Sequence, residues 1–107
     1  MSGFIFYFFP RANSEIAVSD YDEVKNIEQF RLYIDGVVMG LGLANTYMDS
    51  RGQRPLYCRP KALTPENYLD ILRQHIEKNR SCVEVHPFIG VEMLLLEGLV
   101  ETFPCKK

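Results

Sequence analysis

The residues best suited to nucleophilic chemistry are Cys82 and His86, which lie four positions apart. On a helix this spacing would place both side chains on one face, and a thiolate beside an imidazole is catalytic when an electropositive pocket encloses the pair. Residues 79–87 around the pair are predicted to form a loop between two helices. We therefore interpret Cys82 as a partly buried thiol and His86 as a surface side chain, and a small Cys/His hydrolase remains an alternative.

Other kinds of chemical site are weakly indicated. A zinc site has enough ligand types, but the cysteines and histidines lack the short Cys-x-x-Cys or His-x-x-x-His spacing of such sites. The glycines of the chain follow no strand, so no phosphate loop is predicted. The glutamates near the C-terminus read as the solvated face of a helix. No catalytic, cofactor-binding or metal site is predicted; the residues weighed for these roles are Cys58, His75, Cys82, His86, Cys105, Glu92, Glu97 and Glu101.

Two of the three cysteines, Cys58 and Cys105, are candidates for a disulfide. Each lies just outside a predicted helix and next to a proline-containing turn. A disulfide between them would fasten the C-terminus to the middle of the chain and would stabilise a small domain by about 4 kcal/mol in the chain-entropy model. Two free thiols in a reducing cytoplasm are the alternative, because the cysteine count is odd and no export signal is visible.

The apolar pattern predicts the helices that must position these residues. Apolar side chains recur every three or four positions from Val24 onward, and Asp20 with Glu23 forms an acidic variant of a capping box. The first helix is therefore predicted over residues 20–48, with a possible break at its glycines. Gly36 and Gly40 share one face of it, which predicts close approach by another backbone.

Two further helices are expected. Thr64 and Pro65 predict the start of the second, because a threonine hydroxyl caps a helix and proline suits the first helical position. The third is predicted to begin near Pro87 and to end at Pro104. The sequence thus predicts an all-α fold, a small compact bundle of three to five helices.

Size and charge exclude several classes of protein. The chain has 107 residues, which is typical of one domain. A net charge of −2 argues against binding to nucleic acid, which needs a basic surface. No apolar run approaches the roughly 20 residues that span a bilayer. A single domain without a membrane span is expected.

The first ten residues are dense in aromatic side chains but make a poor secretory signal. No Lys or Arg precedes the six-residue apolar run, which Pro10 closes. We interpret residues 1–19 as an apolar arm and linker that docks on the domain or on a second subunit, since exposed apolar runs promote aggregation. Residues 20–107 are predicted to form the folded domain.

Four motifs in this order resemble the Rap/Tai family of type VI secretion immunity proteins. They are Tyr33-Ile34-Asp35-Gly36-Val37-Val38-Met39-Gly40, Tyr57-Cys58-Arg59-Pro60, Thr64-Pro65-Glu66 and Phe103-Pro104-Cys105, and the resemblance covers residues 21–107. It implies a small exported helical protein that dimerises and blocks a peptidoglycan amidase. It also implies a disulfide between Cys58 and Cys105. The family pattern often has a cysteine just before the Tyr33-Ile34 pair, where this chain has Phe30 or Arg31, so no second disulfide is expected, and Cys82 has no evident counterpart in the family.

The resemblance predicts an immunity protein without enzymatic activity, periplasmic and homodimeric, that occludes the active-site cleft of a secreted amidase and uses no cofactor. A cytosolic helical adaptor with free thiols is the first alternative. Polar residues in two predicted loops are the candidates for contact with the amidase. The candidates are Arg51, Gln53 and Arg54 in one loop, and Lys78, Asn79, Arg80, Ser81 and Glu84 in the other.

Overall fold

The computed structural model describes residues 16–58 and 62–106. The apolar arm over the first ten residues lies outside this part of the chain. Apart from one isolated antiparallel bridge, all regular structure in the described residues is helical, so the predicted all-α fold is confirmed. The elements are a 3-10 turn (Val18–Asp20), α1 (Tyr21–Val24), α2 (Glu28–Ser50), α3 (Pro65–Lys78), α4 (Arg80–Val85) and α5 (Val91–Thr102).

The predicted first helix is two helices. Helix α1 ends at Val24, and the chain is extended at Ile27, where φ is −90° and ψ is 137°, before α2 begins. Asp20 makes no capping hydrogen bond with its side chain, so the predicted capping box at this end is absent. The glycines do not interrupt α2, which runs unbroken through all of them.

The start of α3 is confirmed. Thr64 accepts a hydrogen bond from the backbone amide of Asn67, and the Asn67 side chain accepts one from the backbone amide of Thr64. The Thr64 amide gains a partner at the helix terminus in this way, and the Asn67 amide shares its hydrogen between the Thr64 side chain and Thr64 O, which lies at 3.0 Å. Pro65 occupies the first turn, as predicted.

The predictions for residues 79–90 are wrong in two ways. Residues 80–85 form α4 instead of a loop, and the last helix begins at Val91 instead of near Pro87. Residues 86–90 form a turn that ends in an isolated bridge at Gly90, and this segment bonds to the start of the domain: Val18 N donates to Ile89 O at 2.7 Å and Val91 N donates to Ile16 O at 2.9 Å. Such pairing between distant segments leaves no periodic signal in the sequence.

The same bonds correct the boundary of the arm. Residues 16–19, assigned above to the linker, belong to the packed domain, since Ala17 pairs with Gly90 and Val18 is buried. Three apolar residues are too few to show a period, so this packing could not be predicted from the sequence.

The core lies between α3 and α5, with α2 packed across them. Its completely buried side chains come from all three helices. Gly98 makes the close contact of α3 with α5 possible: a Cβ placed there would lie 2.9 Å from Ile71 Cγ2 and 3.3 Å from the His75 Cβ. The largest fully buried side chains are Ile34, Leu72, Ile76, Val91, Leu95 and Leu99.

Candidate functional site

The disulfide between Cys58 and Cys105 is present and joins positions 47 residues apart, with their Cα atoms 4.9 Å from each other. The backbone bond from Cys58 N to Phe103 O, at 2.8 Å, lies beside it. The C-terminal segment after α5 is therefore fixed to the connection between α2 and α3 by a covalent bond and a hydrogen bond.

Asn45 of α2 holds the same connection from the other side. Its side-chain amide donates to Tyr57 O at 3.1 Å, and its oxygen accepts from Leu56 N at 2.9 Å. Tyr57 is buried in the core. The role of Asn45 could not be predicted from the sequence, because an asparagine near the end of a helix is common and nothing in the sequence shows which backbone it contacts.

The first polar cluster follows α2 as an exposed turn. Gly52 has φ +74°, a left-handed conformation that glycine adopts without strain, and Gln53 N donates to Met48 O at 2.8 Å. The Arg51 guanidinium lies 5.7 Å from the centre of the Tyr47 ring. Arg51, Gln53 and Arg54 are all exposed, so this predicted loop exists and is open to a partner.

The second polar cluster is not the loop that the sequence predicted. Lys78 ends α3, Asn79 joins it to α4, and Arg80, Ser81 and Glu84 belong to α4. Asn79 leaves the helical conformation, with φ −114° and ψ 30°, and both its backbone amide, at 3.1 Å, and its side-chain amide, at 2.8 Å, donate to His75 O at the end of α3.

Two cationic side chains of this cluster form ion pairs within the protein. Lys78 pairs with Glu101 at 2.9 Å, and this contact lowers the pKa of the Glu101 carboxyl. Arg80 pairs with Glu77 at 2.7 Å and lies 3.6 Å from Asp22, and the hydrogen bond to Glu77 raises the pKa of the guanidinium. Ser81 and Glu84 are exposed. A partner at this cluster would have to compete with these internal pairs.

Cys82 and His86 share a turn through the backbone bond from His86 N to Cys82 O, at 3.0 Å. Both side chains are exposed. A catalytic thiolate needs an enclosed, electropositive setting to lower its pKa, and the surface around these two residues does not enclose them. The geometry gives no support to the hydrolase alternative.

The residues considered for a zinc site are not brought together. Cys58 and Cys105 are bonded to each other, and no three His, Cys, Asp or Glu side chains of the described residues are arranged to hold a metal. The side chain of His75, on α3, is 6% exposed and faces α5. Its Nε2 lies 3.2 Å from Glu97 and its Nδ1 lies 3.7 Å from Glu101. Its contacts are those of a histidine that links two helices.

Two apolar surfaces are exposed: the first includes Gly36 and Gly40, for which the sequence predicted close approach by another backbone, and the second was not identified from the sequence. One is a row of residues along α2, here called the α2 stripe. A Cβ placed on its glycines, Gly36 and Gly40, would meet no heavy atom of the described chain within 4 Å. The other is the α4–α5 loop (residues 86–90), where the Phe88 side chain is 84% exposed. The α2 stripe consists of Leu32, Gly36, Met39, Gly40, Leu43 and Tyr47.

Comparisons with known proteins found no relative of this chain. A scan against models of protein families found no match, and searches of curated proteins and of solved structures found none either. No helix in the described residues is long and apolar enough to cross a membrane.

Proposed function

We propose that this chain is an immunity protein that binds a type VI secreted peptidoglycan amidase and inhibits it by occluding the active-site cleft. The observation that carries the proposal is the Cys58–Cys105 disulfide, because this is the pairing that the resemblance to the Rap/Tai family implies. The helical architecture around it agrees with the same resemblance.

An inhibitor of this kind works by filling space. It must present a rigid surface that enters the cleft and excludes substrate, since any ordering that occurs on binding subtracts from the affinity. The disulfide and the Asn45 contacts fix residues 56–58 of the α2–α3 connection before binding, and this supports such a role. Arg51, Gln53 and Arg54, which follow α2 on the surface, are candidates for the polar rim of the interface.

Titration of the oxidised protein into the purified amidase encoded beside it tests the proposal. Cleavage of a peptidoglycan peptide is followed while the inhibitor is added, and peptide mapping verifies the disulfide. We expect activity to fall linearly to zero at a fixed molar ratio. Full amidase activity at tenfold molar excess of the oxidised protein would contradict the proposal, and free thiols in protein taken from cells would favour a cytosolic adaptor instead.

The proposed location is the periplasm. Disulfides persist in oxidising compartments and are rare in the cytosol, where thiols are kept reduced. Trapping of free thiols in intact cells, followed by separation of periplasm and cytosol, measures both the redox state and the location. We expect Cys58 and Cys105 to be protected from alkylation and Cys82 to react.

We further propose that the protein is a homodimer joined at the α2 stripe. Exposed apolar residues at helical spacing, with glycines between them, allow two helices to approach closely, and burial of this row would remove Leu43 and Met39 from water. Light scattering at micromolar concentration measures the mass. A monomeric mass would contradict the dimer.

A further inference from the structure

The basic side chains near the disulfide have no carboxylate partner. The described residues contain eight Lys and Arg side chains, and five of them lie within 4 Å of an Asp or Glu side chain. The other three, Arg51, Arg54 and Lys106, form no ion pair with any described residue, and all three are exposed. The five paired cations are Lys25, Arg31, Arg73, Lys78 and Arg80.

The disulfide brings the unpaired cations to one surface. Lys106 follows Cys105, whose Sγ lies 3.7 Å from the carbonyl oxygen of Pro55, the residue after Arg54. Arg51 belongs to the same exposed turn as Arg54. These cations and the exposed leucine between them are here called the basic surface, which consists of Arg51, Arg54, Leu56 and Lys106.

The charge of the sequence is segregated in the same way. The two segments that the disulfide joins, residues 51–64 and 102–107, contain six of the twelve Lys and Arg residues of the chain and no Asp or Glu. The rest of the chain contains the other six cations and all fourteen anions. The protein as a whole is weakly acidic, but this part of it attracts anions, and an anionic partner that contacts one face alone would leave the acidic remainder in water.

The apolar content of the basic surface favours a lipid over a protein as its partner. A protein interface has an apolar centre in which charged residues, lysine among them, are depleted. Leu56, at 41%, is the one large apolar side chain that residues 51–58 and 103–106 expose. A membrane requires no such centre, because its anionic headgroups attract Lys and Arg directly and a leucine can enter the boundary of the acyl chains.

From this placement we infer that the basic surface binds the headgroups of an anionic membrane. Arg51, Arg54 and Lys106 face the lipid phosphates, and Leu56 lies at the boundary of the acyl chains. The contact is peripheral and reversible, since it combines a few cations with one apolar side chain. The inference goes beyond the proposed function and does not depend on it.

Co-sedimentation of the oxidised full chain with lipid vesicles tests the inference. The vesicles contain one part phosphatidylglycerol to two parts phosphatidylcholine, and vesicles of phosphatidylcholine alone are the reference. We expect selective binding to the anionic vesicles at about 0.1 M NaCl and loss of binding at about 1 M, because the Debye length falls from about 10 Å to about 3 Å.

The double variant Arg54→Gln, Lys106→Gln removes two cations of the basic surface. Each cation near an anionic membrane raises the affinity by about 5-fold, so the dissociation constant should rise by about 20- to 30-fold. Circular dichroism checks that the variant is folded.

Lys25→Gln, Arg73→Gln is the matched control, because it changes the net charge by the same amount. Both side chains are paired with carboxylates away from the basic surface, Lys25 with Asp22 and Arg73 with Asp70. General repulsion from the vesicles is therefore equal in the two variants. The control should stay within about 2-fold of the unchanged protein.

The outcomes distinguish a membrane contact from a protein contact. Equal binding of the unchanged protein to anionic and neutral vesicles would overturn the inference, and so would a variant Arg54→Gln, Lys106→Gln that binds as tightly as the unchanged protein. If this variant loses affinity for the purified amidase while the unchanged protein does not bind vesicles, the basic surface belongs to the protein interface and the membrane assignment is wrong. Loss of vesicle binding in this variant but not in Lys25→Gln, Arg73→Gln supports the assignment.

Discussion

Gly98 is the residue on which the contact of α3 with α5 depends. A methyl group at this position would overlap the Ile71 side chain and crowd His75, both of which are on α3. Because protein interiors are close-packed, the two helices would have to separate or side chains would have to leave their preferred rotamers. We expect Gly98→Ala to lower the free energy of unfolding by about 1–3 kcal/mol, measured by urea denaturation.

Gly42→Ala is the matched control for this substitution. Gly42 is also inside a helix, but a Cβ there would meet no atom within 4 Å. Alanine should therefore stabilise the protein by about 0.5–1 kcal/mol through helix propensity alone. Equal effects of the two substitutions would show that the packing at Gly98 relaxes without cost.

The glycines also show what a sequence can and cannot reveal at the residue scale. Their spacing in α2 predicted close approach by another backbone, yet Gly36 and Gly40 face open space in the described chain, and the close approach occurs at Gly98. Spacing identifies which residues share a helical face. It does not identify which face meets a neighbour, because that depends on the packing of the whole chain.

At the scale of the helix, α2 provides a test of the proposed dimer. The double variant Gly36→Ala, Gly40→Ala should stabilise an isolated α2 by roughly 1–2 kcal/mol, since each alanine favours the helix. If the glycines lie in a close contact between two copies, the same methyl groups should weaken the dimer. We expect a higher urea midpoint at a concentration where the protein is monomeric, together with a higher dimer dissociation constant.

The two readouts of this variant distinguish a dimer contact from a purely local effect. Sedimentation at several concentrations gives the dissociation constant, and unfolding in urea gives the stability. Increased stability without any change in self-association would mean that the glycines are not at the interface, and the α2 stripe would then lose its assignment.

The helices themselves could largely be predicted from the sequence, but their ends could not. The start of α3 was predicted correctly because Thr64, Pro65 and Asn67 determine it locally. The predicted start of α5, near Pro87, was wrong because residues 86–90 are held by residues 16–19, which lie about 70 positions earlier in the chain. Local capping is visible in a sequence, whereas distant backbone pairing is not.

At the scale of the whole molecule, the disulfide closes a loop of 47 residues. Replacing both Cys58 and Cys105 with alanine should lower the free energy of unfolding by about 4 kcal/mol, because the unfolded chain regains the entropy that the cross-link removes. Urea denaturation measures the change. Cys82→Ala is the control and should have a small effect, since this thiol is exposed and unbonded.

Unchanged stability of the double variant would mean that the C-terminal segment is held by its other contacts, such as the bond from Cys58 N to Phe103 O. The pairing of the two cysteines could be predicted from the sequence because both positions lie just outside predicted helices. The exposure of Phe88 in the α4–α5 loop could not be predicted from the sequence, because it depends on how the domain begins and on where α4 ends.

The dependence of stability on pH follows from contacts between helices. Lys78 on α3 donates a hydrogen bond to Glu101 on α5 and lowers the pKa of that carboxyl from its ordinary value of 4.5. A carboxyl whose pKa is lower in the folded state stabilises the fold above the unfolded pKa, and this contribution is lost as the pH falls through the folded pKa. We expect the urea midpoint to fall between pH 6 and pH 3.

Glu101→Gln isolates this contribution, because glutamine keeps the size of the side chain and cannot ionise. The difference in urea midpoint between pH 6 and pH 3 should be smaller in the variant than in the unchanged protein. The effect should be modest and should shrink in salt, since both side chains are exposed and mobile ions screen them. Identical pH profiles would show that Lys78 and Glu101 do not couple α3 to α5 in solution, and the acid sensitivity would then come from other carboxylates, of which Glu66 beside Arg31 is one with a lowered pKa.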